Sequence, residues 1–589
     1  MKNPGFLPEI SDEFTKKTSG KVIFIFKPPV SDRSSGKKFF VLLLLLSLLI
    51  LPGCNSGNKN SPSSKNRNIS VPAPNEDYFQ EIGEAIGLRF IHSIGDKNLN
   101  NIVESSAGGV AFLDYNQDGY IDIYFTSGTW IEEFSEGQKP DKMPGNCLYR
   151  NMKDGTFEDV TEKAGVGGPW YTMGVTAGDF NNDGFPDLFV SNYGPNVLLK
   201  NNGNGTFTDV TKKAGVSGGK EFSVGAVWLD YDLDGLLDLY VGNYLTFDPE
   251  YKYFYAPDGF PGPMAYDAQK DVLYHNNGDG TFEDVTDKMG IKDIDGRAMG
   301  VGAADYDEDG YVDIYVANDH TLNYLFHNDA GKGFTDRGTM TGTAFSQAGE
   351  ATVSMSVDFA DYNNDGLLDM FVSDDTYCSL YRNEGNGIYT DKAYASGLST
   401  VCAQFVGWSS TFFDYDNDGD VDIFKTNGEL KHLYGHEDQL LENIGGEKFK
   451  EVSLERGEYF KKEYVGRGTC VGDYDNDGDL DVVITNLNDQ CRFLRNNKGN
   501  ANNWIMLSLE GTISNRDAIG ARIRIKADGK EQIAQKKSTT GYLSQNDPRI
   551  HFGLGRSEKI EMIEIKWPSG KVQILENIPV NQILKIKEQ

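Results

Sequence analysis

One nine-residue pattern carries most of the chemistry this chain could do. D-x-[DN]-x-D-G-x-x-D occurs as DYNQDGYID from Asp114, DFNNDGFPD from Asp179, DYDLDGLLD from Asp230 and DYDEDGYVD from Asp305. It continues as DYNNDGLLD from Asp361, DYDNDGDVD from Asp414 and DYDNDGDLD from Asp473. Positions 1, 3, 5 and 9 supply side-chain oxygens, and position 6 is always Gly, which permits a sharp turn. Carboxylates packed this closely repel unless a cation lies among them. Ca²⁺ takes six to eight oxygens, so four side chains, the backbone carbonyl of position 7 and water would complete its shell.

The expected ligands of the first loop are Asp114, Asn116, Asp118, Tyr120 (by its carbonyl) and Asp122. The second loop offers Asp179, Asn181, Asp183, Phe185 and Asp187, and the third Asp230, Asp232, Asp234, Leu236 and Asp238. The fourth has Asp305, Asp307, Asp309, Tyr311 and Asp313, and the fifth Asn363 among Asp361, Asp365, Leu367 and Asp369. The sixth and seventh are all acidic: Asp414, Asp416, Asp418, Asp420 and Asp422, then Asp473, Asp475, Asp477, Asp479 and Asp481. The loops from Asp230, Asp305, Asp414 and Asp473 carry Asp at position 3 and are expected to bind most tightly. Up to seven Ca²⁺ ions are therefore expected. Mg²⁺ fits less well, because it keeps its waters and demands stricter geometry. An EF-hand needs a Glu at position 12 between helices. Position 12 here is Phe125, Val190 or Val372, in strand-like surroundings. The metal-free alternative is a set of Asx turns, since Asp and Asn stabilise turns unaided.

The elements that must hold these loops repeat with them. TFEDVTEKAGV from Thr156, TFTDVTKKAGV from Thr206 and TFEDVTDKMGI from Thr281 follow acidic loops, with weaker copies from Gly333, Ile388 and Lys448. A further copy, YFQEIGEAIGL from Tyr78, precedes the first loop, and none follows the seventh. The N-terminal copy therefore supplies the strand that the last repeat lacks. Within a repeat, GVTAGDF, DLFVSNY, NVLLKN and TFTDVT read as four short strands separated by Asn/Gly turns. The fold class is all-β: a seven-bladed propeller over 78–498, with a solenoid as the open-ended alternative.

The formal charge of −32 on 589 residues argues against a nucleic-acid partner, and 39 % apolar residues suffice for a core. At the N-terminus, Lys37-Lys38 and the apolar run 39–51 lead to Pro52-Gly53-Cys54. That is a secretory pattern with a cut before Cys54, the expected lipidation site. A plain transmembrane anchor would need about twenty apolar residues. Segment 1–54 is thus signal, and 55–77 a polar tether to the folded part. Five further cysteines leave at least one unpaired, with Cys470 and Cys491 a candidate bridge.

The loops resemble the FG-GAP/VCBS repeats of integrin-α-type propellers. From 499 the acidic loops stop, and WIMLSLEG, ARIRIKADG, KIEMIEIKWPSG and QILKIK read as strands of a small β-sandwich, with alternation in ARIRIKA and IEMIEIKW suggesting half-buried antiparallel ones. SNRDAIGARIRI, TGYLSQND, HFGLG and KWPSG resemble the ASPIC/UnbV C-terminal domain. Together the two parts resemble a bacterial lipoprotein member of the cartilage acidic protein family. The resemblance implies an extracytoplasmic, calcium-binding, non-enzymatic protein acting in adhesion or interaction. The lipid anchor departs from that family.

The function expected is therefore binding of a protein or glycan at the cell surface, with the membrane met only through the lipid. Two inserts, 128–145 with Trp130 and the aromatic-rich 243–270, are either ligand loops or rim packing. The rival is a polymer-processing lyase or hydrolase, but no catalytic motif is visible. His432 and His436 are a compact pair in an exposed-looking loop. Arg516, Asp517, His551 and Trp567 read as turn and core residues rather than a site. His275 and His327, each preceding Asn, read as structural.

Overall fold

The computed structural model describes residues 69–251, 259–292 and 295–589. The apolar run, Cys54 and the tether up to 68 lie outside the described residues, as does 252–258 of the second insert. Among the described residues no helix is long and apolar enough to cross a membrane.

Each acidic loop joins the first two strands of a four-stranded antiparallel sheet. In the second repeat these strands are Thr172–Gly178, Asp187–Asn192, Val197–Asn201 and Phe207–Asp209. Short strands of alternating small and β-branched residues, punctuated by Asn and Gly, leave no other local choice. Seven such sheets form between 79 and 496. The seventh is completed by Phe79–Glu81, which pairs with Arg492–Asn496 in the register Phe79↔Asn496. The innermost strands stand side by side in a ring, with Val110–Leu113 touching both Thr172–Gly178 and Gly466–Gly472. Apolar clusters weld neighbouring blades; one joins Leu113 and Leu148 to Leu188, Val190 and Leu199.

Antiparallel strands put the 1–2 loops and 3–4 turns of every blade on one face. The 2–3 loops, which include both inserts, lie on the other. The inserts pack over the channel mouth there: Phe134, Phe247 and Tyr266 meet Tyr171, Tyr193, Phe222 and Tyr244. Cys378 and Cys402 form a disulfide, whereas Cys470 and Cys491 are free and buried in one cluster. The expected Cys470–Cys491 candidate is therefore not formed. Both thiols instead fill space between the seventh and first blades.

Residues 503–587 fold as two sheets, Ile550–Gly555/Asn503–Glu510/Ile583–Lys587 and Lys530–Gln535/Arg522–Ala527/Lys559–Lys566/Val572–Pro579. They share a core of Ile505, Leu507, Ile523, Ile563, Ile565 and Trp567. Arg522–Ala527 and Lys559–Lys566 pair antiparallel, as their alternation suggested, whereas Asn503–Glu510 and Ile583–Lys587 pair in parallel.

This domain does not stand apart. Its segment 536–549, which includes TGYLSQND, runs into the ring and bonds to the innermost strands of the blades. Gln545 exchanges backbone bonds with Val110 and Phe112 of the first blade, and its Oε1 accepts from Ala177 N of the second. Val175 N donates to Leu543 O, and Ser538 Oγ bonds both N and O of Trp228 in the third. Thr539 Oγ1 reaches Val301 O, Gly541 bridges Val357, Tyr542 N donates to Ser409 Oγ, and Asn546 Oδ1 accepts from Val471 N. Blades one to seven are all engaged. Gly109 and Gly174 explain why the inner strands are glycine-rich: a Cβ on Gly109 would collide with the Leu543 carbonyl, and one on Gly174 would press on Leu543 Cβ. At the tip, Tyr542 is fully buried, stacks edge-on to Trp408 at 5.1 Å and donates to Ser106 O.

Truncating that tip tests the plug. Tyr542→Ala leaves a large hole and an unpaired carbonyl at the centre of the ring, so urea unfolding is expected to show a loss of about 3–5 kcal/mol. A loss under about 1 kcal/mol would mean that the ring does not lean on the plug.

Candidate functional site

The acidic loops are built alike. Position 4 adopts a left-handed conformation in all seven, from Asn182 (φ 56°) to Glu308 (φ 65°), and the position-6 glycines follow at φ 86–97°. Left-handed residues at positions 4 and 6, with one residue between them, fold the loop back on itself. One oxygen of the position-1 carboxylate accepts the amide of the position-6 glycine in every loop, as Gly366 N to Asp361 Oδ2 at 2.8 Å. The position-7 amide donates to position 5, as Leu367 N to Asp365 Oδ1 at 3.1 Å. Position 9 is buried throughout, and its Oδ1 accepts the amide of an Asn at the end of the third strand.

That Asn was not singled out from the sequence, although it recurs as Asn151, Asn201, Asn276, Asn328, Asn383, Asn443 and Asn496. Its side chain crosses the blade junction. Asn201 Nδ2 donates to Tyr115 O of the preceding loop, Asn276 to Phe180 O and Asn328 to Tyr231 O. Asn383, Asn443 and Asn496 repeat the bond to Tyr306, Tyr362 and Tyr415. Asn151 closes the series on Tyr474 O. Position 4 adds further links, since Asn182, Asn364, Asn417 and Asn476 donate to the position-6 carbonyl of the next loop.

The self-capping bonds leave other oxygens bare. Asp230 Oδ1, Asp232 Oδ1, Asp305 Oδ1, Asp307 Oδ1, Asp475 Oδ1 and Asp479 Oδ2 are buried with no donor. Such groups are costly unless compensated. Asp230, Asp232 and Asp234 bring oxygens within 4.8 Å of one another, as do Asp305, Asp307 and Asp313, and Asp414, Asp416 and Asp422. These clusters can hold a metal ion, and the bare oxygens fit that use. Burial pushes the carboxyls up: Asp187 and Asp369 to about 9, Asp473 to about 8, and Asp179, Asp230 and Asp313 to about 7.

Third-strand residues beside the loops differ. Arg150 lies 3.4 Å from Asp118 and Lys200 2.5 Å from Asp183. His275 Nδ1 lies 3.1 Å from Asp238 Oδ1, and His327 Nδ1 lies 3.1 Å from Asp313 Oδ1 and 3.4 Å from Asp307 Oδ2. Both imidazoles thus face carboxylate clusters. His432 stacks on Tyr434, and His436 packs on Phe405. The two histidines bind different neighbours and do not converge.

The C-terminal domain covers the acidic-loop face. Arg516 N donates to Asn182 Oδ1, Asp517 accepts from Asp179 N, and Arg549 Nη2 donates to Asp473 O. Arg522 reaches Gly366 O, and Gly555 N donates to Asn417 O. Arg516 and Asp517 are docking residues, which the reading as turn formers did not anticipate. Trp567 is core, as expected, and burial lowers the His551 imidazole to about 4 beside Gly478 of the Asp473 loop.

A model of FG-GAP-like repeats matches residues 114–190, 179–241, 264–316, 305–372 and 361–424. The ASPIC and UnbV model matches 511–589. The chain belongs to the FG-GAP-repeat proteins that carry a C-terminal ASPIC and UnbV domain. This FG-GAP-repeat chain is 24 % identical to mouse cartilage acidic protein 1 over 519 residues, 81 % of the chain and 73 % of the relative. Against the human protein of that name it is 26 % identical over 53 % of the chain and 40 % of the relative. A solved Agrocybe aegerita lectin, described as recognising non-reducing terminal N-acetylglucosamine, aligns with a TM-score of 0.36 at 16 % identity, over 58 % of this chain and 82 % of that one.

The raised carboxyls fix the sign of a pH effect. A buried acid whose folded pKa exceeds the unfolded value, about 4, stabilises the metal-free fold at low pH. That stability is lost as pH rises through the folded values of about 6 to 9. In excess chelator, scanning calorimetry is expected to show a melting temperature that falls between about pH 5 and 8.

Proposed function

We propose that this chain is an extracytoplasmic binding protein, tethered to the cell envelope by a lipid on Cys54, whose acidic loops hold Ca²⁺. The observation that carries the reading is the division of the two faces. The C-terminal domain covers the acidic loops and fills the channel, so those loops brace the ring and do not meet ligand. The opposite face is left for recognition, and it exposes Tyr251, Met264, Leu433 and Tyr434. Exposed apolar and aromatic groups of this kind favour a protein or glycan partner. A channel occupied by the chain's own residues supports this reading over a polymer-processing lyase or hydrolase, which needs a cleft for substrate.

Calcium would act on the folded state alone. A ligand at a hundred times its dissociation constant adds about 2.7 kcal/mol for one site. Chelation is expected to lower the melting temperature of the detergent-solubilised chain, and Ca²⁺ to restore it; an unchanged melting curve would remove calcium from the account. For recognition, the full chain is applied to protein and glycan arrays with and without Ca²⁺. Tyr434→Ala and Tyr251→Ala are expected to lose the captured ligand at unaltered melting temperature. Capture that survives both substitutions but fails when Arg516 is changed would move the site to the other face. Cys54→Ser is expected to shift the chain from the membrane fraction to the soluble one.

A further inference from the structure

Blade four departs from the all-oxygen pattern. His327 is 6 % exposed, and its Nδ1 has no hydrogen-bond partner despite lying 3.1 Å from Asp313 Oδ1. The nitrogen therefore approaches that oxygen off the line a hydrogen bond needs. It is 3.4 Å from Asp307 Oδ2, and Asp307, Asp309 and His327 bring ligand atoms within 4.8 Å of one another. Asp305 Oδ1 and Asp307 Oδ1 are buried and bare beside it. The other ring nitrogen faces the Asp329 carboxylate at 3.9 Å.

Two atoms each about 2.0 Å from a tetrahedral ion lie about 3.3 Å apart. The nitrogen-to-oxygen separations match that spacing. Ca²⁺ takes oxygen ligands, and an imidazole nitrogen contributes little to it. Imidazole with carboxylates suits Zn²⁺ and its first-row neighbours.

We infer that the fourth loop is a mixed nitrogen–oxygen site that takes a borderline divalent ion of the Zn²⁺ class, through His327 and the carboxylates of Asp307, Asp313 and Asp305, in preference to Ca²⁺. His275 places the same nitrogen 3.1 Å from Asp238 in the third loop, but its side chain is 23 % exposed and already bonded to the Tyr231 hydroxyl at 3.3 Å. The inference rests on the reading of these loops as cation sites and changes only which cation the fourth one takes.

The test uses the full chain in detergent, stripped with chelator, loaded with Zn²⁺ in the presence of excess Ca²⁺ and dialysed, with both metals counted by elemental analysis. Wild type is expected to retain Zn²⁺. His327→Gln should weaken Zn²⁺ binding by more than about tenfold, since even outer partners of a metal-bound imidazole cost that much. Its Ca²⁺ content and far-ultraviolet circular dichroism should not change. Asp361→Asn, in the fifth loop, should lower Ca²⁺ and leave Zn²⁺ intact. Should His327→Gln fail to fold, Cu²⁺ loaded into the wild-type chain and into His275→Gln provides the decision. Nitrogen superhyperfine coupling in the electron paramagnetic resonance spectrum that persists in His275→Gln supports the site. Zn²⁺ displaced by Ca²⁺, equal Zn²⁺ affinity in His327→Gln, or Cu²⁺ without that coupling overturns it, leaving His327 as an ion-pair partner of Asp313. A melting curve unmoved by chelator together with His327-dependent Zn²⁺ would sink the calcium reading and leave this one standing.

Discussion

Seven carboxylates held out of water at the junctions between blades are the constraint on which the ring depends. Asp122, Asp187, Asp238, Asp313, Asp369, Asp422 and Asp481 are each nearly or wholly buried. A buried carboxylate is tolerated only where donors or a cation meet it. Each of the seven receives the amide of the strand-end Asn, and that Asn then reaches across to the preceding blade. The loop that gathers the acids is thereby also the joint between blades. Each bond is worth about 1 kcal/mol net, yet their cyclic arrangement means that no blade can shift without breaking a neighbour's.

The second organising element comes from outside the repeats. Inner strands with Gly, Ala, Ser or Thr at many positions, as in TMGVTAG, AMGVGAA and GRGTCVG, leave room along the axis for another stretch of chain. The segment 536–549 fills it, so the ring closes around part of its own chain. Apolar residues of the C-terminal domain join the blade cores on the same face. Trp504 and Met506 enter the cluster of blades six and seven, Ile519 that of blades two and three, and Ile533 that of blades four and five. A separate appended domain would keep such residues within itself. The two parts instead share these apolar clusters, and the face that carries the acidic loops is committed to the contact.

Sequence periodicity made the architecture readable. Seven acidic loops and a displaced seventh copy of the fourth-strand motif already favoured a closed ring of four-stranded units over an open solenoid. Phe79–Glu81 sits in the vacant edge position, because the strand pattern before the first loop had no other partner. In the loops from Asp230, Asp305 and Asp414 the acidic positions converge, since alternate residues around a glycine turn point inward. The strand-end Asn was visible as a recurring letter but silent as to role, because its partner belongs to another repeat. The disulfide between Cys378 and Cys402 was equally silent, as five cysteines spaced at random allow several pairings.

What the sequence determines by itself is local and periodic: the strand, the turn, the clustering of oxygens and the repeat that forces closure. These follow from side-chain sterics and spacing over a few residues. What only the tertiary structure decides is which distant segments meet. TGYLSQND, which begins only after the ring's last strand has ended at Asn496, lies along the axis of that ring, and SNRD docks on the second loop. His327 faces Asp307 and Asp313 across two strands. No spacing rule reports these contacts, because they arise from the shape left when the repeats have packed.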